Sequence, residues 1–312
     1  MLGIVKPPGP PAFDLPVVRD GYRWWYLDAV SDDGRHALVI IAFVGSVFSP
    51  YYYRARQQDL GVPEHFCAIN VALYGPGRRW CMTERGEARL SRGASHFQVG
   101  PSSVEWRDDR MEFMIRERST PFGRPLRGRV RAWPSADCGL DVHLDPQARH
   151  RWTPWSPHAE VQVDLDAPNL QWRGRAYLDA NAGDEPLERA FRTWDWSRTE
   201  RDDGLRLHYE VRYPDAGQQL LCQHVHPDGR HVDAEPAPSQ RPRVTGWGLR
   251  RGPRTGHPIN RIQGLEDTPF YSRTLFKASS GAHTVHEFLD MRRFEASWVR
   301  FLLPFRMPRR KG

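Results

Sequence analysis

Residues 22–47 read YRWWYLDAVSDDGRHALVIIAFVGSV, and this stretch decides the fold class. Tyr22 to Val30 is an aromatic and apolar run. It enters a turn composition at Ser31-Asp32-Asp33-Gly34, and residues 36–47 return. The pattern predicts an antiparallel hairpin. Side chains two apart on a strand share a face, so Trp24 and Tyr26 lie on one side and Trp25 and Leu27 on the other. Neither side is polar. Strands covered on both faces belong to a barrel or sandwich, not to a sheet with one wet side. Trp24 and Tyr26 are then either core or the lining of an apolar, substrate-receiving cavity.

Outward from the hairpin, the pattern repeats. Residues 66–74, 80–84, 94–99, 103–107, 111–118, 127–133 and 140–144 read as short strands between Gly, Pro or Asp turns, a meander that closes on itself. Residues 50–64 read as a loop, and residues 6–16 as an extended Pro-rich segment. The alternating strand at 159–166 is broken by Pro168-Asn169, which places a domain boundary there. The expectation is an all-β protein of two β-barrel or sandwich domains, 1–167 and 168–312. Helices should be few and short, including one at 294–303 that Pro304 ends. Composition agrees: 12 Trp, 27 Pro and 26 Gly in 312 residues favour strands and turns over long helices.

The net charge of +7 and a pI near 9.5 come almost entirely from Arg. Such a balance suits anionic ligands or an anionic membrane surface, while no basic segment forms a recognised nucleic-acid module. On the C-terminal helix, Trp298, Phe301 and Leu302 share a face, and Arg306, Arg309, Arg310 and Lys311 follow. That combination fits peripheral membrane contact, and equally a packed terminal helix with a basic tail. Cys67, Cys81, Cys138 and Cys222 are scattered without a CxxC pair, as for reduced thiols in the cytoplasm. The N-terminus carries no signal-like apolar region, and the longest apolar run, residues 37–44, is too short to span a bilayer.

Chemistry concentrates in residues 172–200, WRGRAYLDANAGDEPLERAFRTWDWSRTE. Carboxylates there alternate with large aromatics, which belong at least half buried. Tyr177 and Asp179 are i and i+2 and emerge together if 175–179 is a strand. A carboxyl facing a dry space loses hydration, which disfavours its anion and suits it to give up a proton. The plainer alternative makes residues 179–184 a polar turn. Trp194 and Trp196 add candidate lining for an apolar substrate, and His150 and Trp152 form a second i, i+2 pair. His224, His226 and His231 cluster about a turn, but no acidic ligand completes a metal set, so no metal is expected. The Gly-rich stretches near 246 and 254 precede no helix that would cradle phosphate.

Several strings taken together resemble the carotenoid 1,2-hydratase, or hydroxyneurosporene synthase, family of purple bacteria. They are residues 21–29 (GYRWWYLDA), 45–52 (GSVFSPYY), 177–179 (YLD), 183–188 (GDEPLE), 194–198 (WDWSR), 268–273 (TPFYSR) and 303–309 (LPFRMPR). They run through nearly the whole chain. The resemblance implies two lipocalin-like β domains and a cofactor-free addition of water to the terminal C1–C2 double bond of acyclic carotenoids such as neurosporene and lycopene. It also implies a His-x-Trp pair, here His150 and Trp152, and a Tyr-x-Asp pair, here Tyr177 and Asp179, with the aspartate as acid. A non-catalytic polyene carrier, or a cyclase or isomerase on the same scaffold, is the competing expectation.

Overall fold

The structure, a computed structural model, describes residues 9–310. Residues 6–8 of the Pro-rich segment and Lys311 of the basic tail lie outside that range. Strands dominate, as expected, and they form two large antiparallel sheets. The chain divides into two compact units. One holds Ala148–Pro186 together with residues up to 143 and from 301 on; the other holds Leu144–Gln147 and Leu187–Arg300.

In the first unit the sheet runs Arg79–Met82, Ala68–Tyr74, Ala37–Val44, Tyr22–Ser31, Leu170–Gly183, His150–Ala167, Pro125–Pro134, Arg110–Arg118, Ser102–Arg107, His96–Val99 and Leu90–Gly93. It curls as a half-barrel. The hairpin of residues 22–47 forms with Tyr26 opposite Ile41 and Leu27 opposite Ile40. Trp25, Leu27, Leu178, Val161, Phe113 and Phe97 converge on one side as an apolar core. The alternating side chains Tyr26, Asp28, Tyr177 and Asp179 occupy the other side and are buried as well. Both faces of this strand pair are therefore covered, as the doubly apolar pattern demanded.

The second unit has seven strands in the order His231–Asp233, Gln218–Val225, Gly204–Arg212, Thr193–Arg201, His283–Asp290, Tyr271–Lys277 and Arg261–Asp267. One face buries Trp194, Leu207, Tyr209, Val285 and Leu289 around an Arg273–Glu287 ion pair at 2.6 Å.

Four expectations change. The boundary expected at 167/168 falls in the turn between His150–Ala167 and Leu170–Gly183, two strands of one hairpin inside the first unit, and the chain leaves that unit after Pro186. Pro168-Asn169 breaks a strand without ending a domain. Residues 179–184 are not a turn, because the strand continues to Gly183. Within the expected loop, Pro50–Arg56 is a helix, started by Ser49, whose side chain accepts from the amides of Tyr51 and Tyr52, and by Pro50 in its first turn. The C-terminal helix is Ser297–Arg306, and Pro304 lies inside it. Proline removes a single amide there, and the Met307 amide still donates to the Leu303 carbonyl at 2.8 Å.

Candidate active site

The two strands that carry the acid candidates are Tyr22–Ser31 and Leu170–Gly183, paired antiparallel. Tyr26 stands opposite Asp179, Leu27 opposite Leu178, and Asp28 opposite Tyr177. The triplet Tyr-Leu-Asp thus occurs on both strands, and the register sets each tyrosine against the other strand's aspartate. Their rings meet edge to face, 6.3 Å apart. Asp28 is 2% exposed and Asp179 7%, so two carboxyl groups share one nearly dry face.

Around Asp179 the polar contacts are specific. Trp152 Nε1 and Tyr177 OH each donate to Oδ2 at 3.0 Å, and Asn181 Nδ2 approaches Oδ1 at 3.5 Å. Trp152 and Tyr177 are themselves fully buried. Trp152 reaches the carboxyl because its strand, His150–Ala167, pairs with the acid's strand and sets Trp152 opposite Asn181. Burial first, and then the adjacent Asp179 carboxyl, push the Tyr177 phenol well above its ordinary range. Tyr177 therefore keeps its proton and is a donor. On the neighbouring strand, Tyr26 OH donates to Asp28 Oδ2 at 3.2 Å.

His150 sits further along the same face. Its strand partner is Gly183, four residues from Asp179, roughly 13 Å of strand. The ring is fully buried, with Nδ1 2.9 Å from Tyr22 OH and Nε2 3.7 Å from Glu185 Oε1. Glycine at 183 makes this seat available. A Cβ there would lie 2.4 Å from the Tyr22 ring and 2.7 Å from His150 Nδ1, so neither ring could stay. Gly183→Ala is expected to cost about 1–3 kcal/mol of stability through overpacking and to displace His150. Chemical denaturation together with the histidine resonance of the folded variant checks both.

An aromatic wall continues from this cluster. Tyr22 stacks on Trp24 at 4.9 Å, Trp24 meets Phe43 at 5.9 Å, and Phe43 meets Phe48 at 6.4 Å. Strand pairing fixes it: Trp24 is the cross-strand partner of Phe43. A separate cavity of about 230 Å³ is bordered by Trp25, Ala42, Met111, Phe113, Leu178 and Ala180, with Tyr26 and Asp179 also on its margin. Trp25, Leu178 and Ala180 point away from the acid's face by strand alternation, so this space lies on the core side of the sheet. It is also smaller than ordinary ligand pockets of ~300–1,000 Å³. By strand alternation the aromatic wall, with Trp24 opposite Asn181 and Tyr26 opposite Asp179, lies on the same face of the sheet as the carboxyl.

The structure thus gathers Asp179, Tyr177 and Trp152 at one point, with Tyr26 opposite and Trp24 on the same face, and sets His150 at the far end beside Tyr22 and Glu185. Trp194 and Trp196 belong to the second unit, where Trp194 packs on Tyr209 at 5.0 Å and on Phe191 at 5.9 Å. Of the histidine trio, His224 and His226 meet edge to face at 4.6 Å and His224 Nε2 is 3.3 Å from Asp203, while His231 is exposed. Among the described residues no three His, Cys, Asp or Glu side chains are placed to hold one metal ion. Sequence reasoning missed Asp28. The signal was present, since residues 26–28 and 177–179 spell the same triplet.

Comparison with known proteins identifies the lineage. The profile of the carotenoid hydratase CrtC family matches residues 40–312. An acyclic carotenoid 1,2-hydratase of Rubrivivax gelatinosus is 45% identical over 311 residues, covering 97% of this chain and 77% of its own. Another from Cereibacter sphaeroides is 36% identical over 279 residues, covering 88% of this chain and 99% of its own. Among solved structures, an AttH-type protein of Nitrosomonas europaea superposes with a TM-score of 0.60 at 16% identity. That alignment spans 91% of this chain and 98% of the other, and so supports the lipocalin-like β architecture. With such matches along most of its length, this chain belongs to the carotenoid hydratase CrtC family.

Proposed function

We propose that the protein adds water across the terminal C1–C2 double bond of an acyclic carotenoid, with Asp179 as the acid. The observation that carries this reading is a nearly dry carboxyl held by a phenol and an indole beside an aromatic wall. The relatives' names supply the substrate class. An isolated trisubstituted alkene offers no polar handle, so hydration begins with a proton delivered to carbon 2. Positive charge then develops on the tertiary carbon 1.

Each contact has a use in that scheme. Trp152 and Tyr177 both donate to Oδ2, which orients the carboxyl and leaves its proton on Oδ1. Burial disfavours the anion, which is the condition an acid needs to hold a proton until the alkene takes it. The two donors stabilise the carboxylate that forms as the proton leaves, and so ease its transfer to the alkene. Aromatic faces of Tyr26, Trp24 and Phe43 stabilise the cation as it forms. Water attacks carbon 1 and gives a tertiary alcohol; with His150 roughly 13 Å of strand from Asp179, the attacking water's proton reaches His150 Nε2, beside the partly exposed Glu185, through a further water. A proton returns to Asp179 before the next turnover. No redox or nucleotide group is needed for an addition in which every atom comes from alkene and water. Because the substrate is a water-insoluble hydrocarbon, we also place the working protein at a membrane surface. Among the described residues no helix is long and apolar enough to cross a membrane.

The test is an incubation with detergent-dispersed lycopene in ¹⁸O-labelled deuterium oxide. The expected product is a 1-hydroxy carotenoid with ¹⁸O on carbon 1 and deuterium on carbon 2. Bound but unconverted lycopene would favour a carrier, and a product without ¹⁸O would favour an isomerase or cyclase.

A further inference from the structure

We propose that one apolar promontory of the first unit, made by residues 119–124 and residues 301–306 of the C-terminal helix, docks the protein on an anionic lipid bilayer. This rests on the reading that the substrate is a hydrocarbon stored in lipid. Ser297–Arg306 is apolar on two sides. Val299 and Leu303 are buried, whereas Phe301, Leu302 and Phe305 are 72%, 42% and 70% exposed. A helix with one apolar face buries that face and turns polar groups outward; here a second apolar side is bare. Phe301 and Phe305 are one turn apart, their rings 6.1 Å from each other.

The promontory has a second part. Thr120 Oγ1 donates to the Arg306 carbonyl at 3.0 Å, which ties the loop to the end of the helix. At that loop's tip Phe122 is 80% exposed, the highest value of any large hydrophobic side chain among the described residues. Three bare phenylalanines and a leucine expose on the order of 400 Å² of apolar surface. That is as large as the biggest patch an ordinary soluble monomer carries.

Charge decides which partner fits. Arg118 donates to the Gly123 carbonyl in the same loop, the Arg124 guanidinium lies 5.8 Å over the Phe122 ring, and Arg306 lies 4.2 Å over the Trp80 ring. Arg310 follows the helix and is exposed. Of the nearby acids, Glu117 pairs with Arg85 and Glu84 with Arg309, and exposed Glu295 precedes the helix, at the end away from Phe301 and Phe305. Bare aromatics flanked by arginines match the interface of a bilayer with anionic headgroups, where rings enter the acyl boundary and guanidinium groups meet phosphates.

Flotation of the full chain with vesicles of phosphatidylglycerol and phosphatidylcholine tests this, alongside hydration of lycopene presented in detergent or in those vesicles. The wild type is expected to float with the anionic vesicles and less with pure phosphatidylcholine. Combined Phe301→Ser and Phe305→Ser, or Phe122→Ser alone, should weaken flotation about tenfold or more. Conversion of vesicle-borne lycopene should fall with it, while conversion in detergent stays at the wild-type rate. Variants that float like the wild type, or a wild type that never floats, would overturn the proposal. So would a dimer in solution that the same substitutions split, since a second copy would then be what covers the patch. A wild type that floats but converts no lycopene in detergent would refute the hydratase reading and leave the docking surface standing.

Discussion

Asp179→Asn is expected to remove hydration activity, lowering kcat by about 10²–10⁴-fold in a protein that still folds. Asparagine keeps the shape of the side chain, and its carbonyl oxygen still accepts from Trp152 Nε1 and Tyr177 OH. What it lacks is a proton that an alkene can take. Substrate binding should survive, so the loss belongs in kcat and not in KM. Asp28→Asn is the control, since it alters the neighbouring buried carboxyl and leaves the three contacts of Asp179 in place. Single-turnover conversion in detergent reads both variants. If Asp28→Asn is the one that loses activity while Asp179→Asn keeps it, the proton comes from the other strand. pH adds a direction: an acid that must be protonated loses activity as pH rises through its pKa, so hydration should fall toward alkaline pH.

Trp152→Ala is expected to be the costliest substitution for stability, at about 3–5 kcal/mol. The indole is fully buried, and its removal leaves a large cavity and strips Asp179 of one donor. Trp152→Phe separates these effects. The smaller ring retains most of the packing but has no N–H, so the Asp179 carboxyl loses one of its two strong contacts. A hydrogen bond to a group that is charged in one state is worth about 1.5–3 kcal/mol, and each ~1.4 kcal/mol is a factor of ten in rate. The rate should therefore fall by about 10–100-fold, with a modest drop in Tm. Thermal unfolding and kcat of the two variants distinguish packing from positioning. Equal activity in Trp152→Phe and wild type would mean that the indole N–H has no part in orienting the acid.

Local pattern revealed the strands well and their partnerships poorly. Residues 22–47 announced a hairpin because an aromatic run, an Asp-Asp-Gly turn and a β-branched run follow one another within reach. The i, i+2 spacing of Tyr177 and Asp179 likewise put phenol and carboxyl on one face, and there they bond. The register of residues 22–31 against 174–183 is a contact across about 150 positions, set by how two covered faces fit together. No local signal carries it, so Asp28 went unnoticed although its triplet is a copy of the one that was noticed. His150 shows the same limit. Alternation placed it on the face of Trp152 without saying how far along the strand it lies from the acid.

Punctuation misled in two places for physical reasons. Pro168-Asn169 marks a break in a strand, and a tight hairpin needs that break as much as a domain linker does. Ser49-Pro50 is a sound helix start, but three tyrosines of weak helix propensity follow it.

The decisive measurement is the infrared difference spectrum of wild type minus Asp179→Asn at neutral pH, in the region where protonated carboxyl groups absorb. The subtraction matters because another buried carboxyl, Glu84, is pushed by burial up to about 7 and contributes its own band to both proteins. A protonated-carboxyl band present in the wild type, missing from the variant and shifted in deuterium oxide is the predicted result. A carboxylate band in its place, at the pH where hydration proceeds, would show Asp179 to be ionised and would contradict its role as the acid.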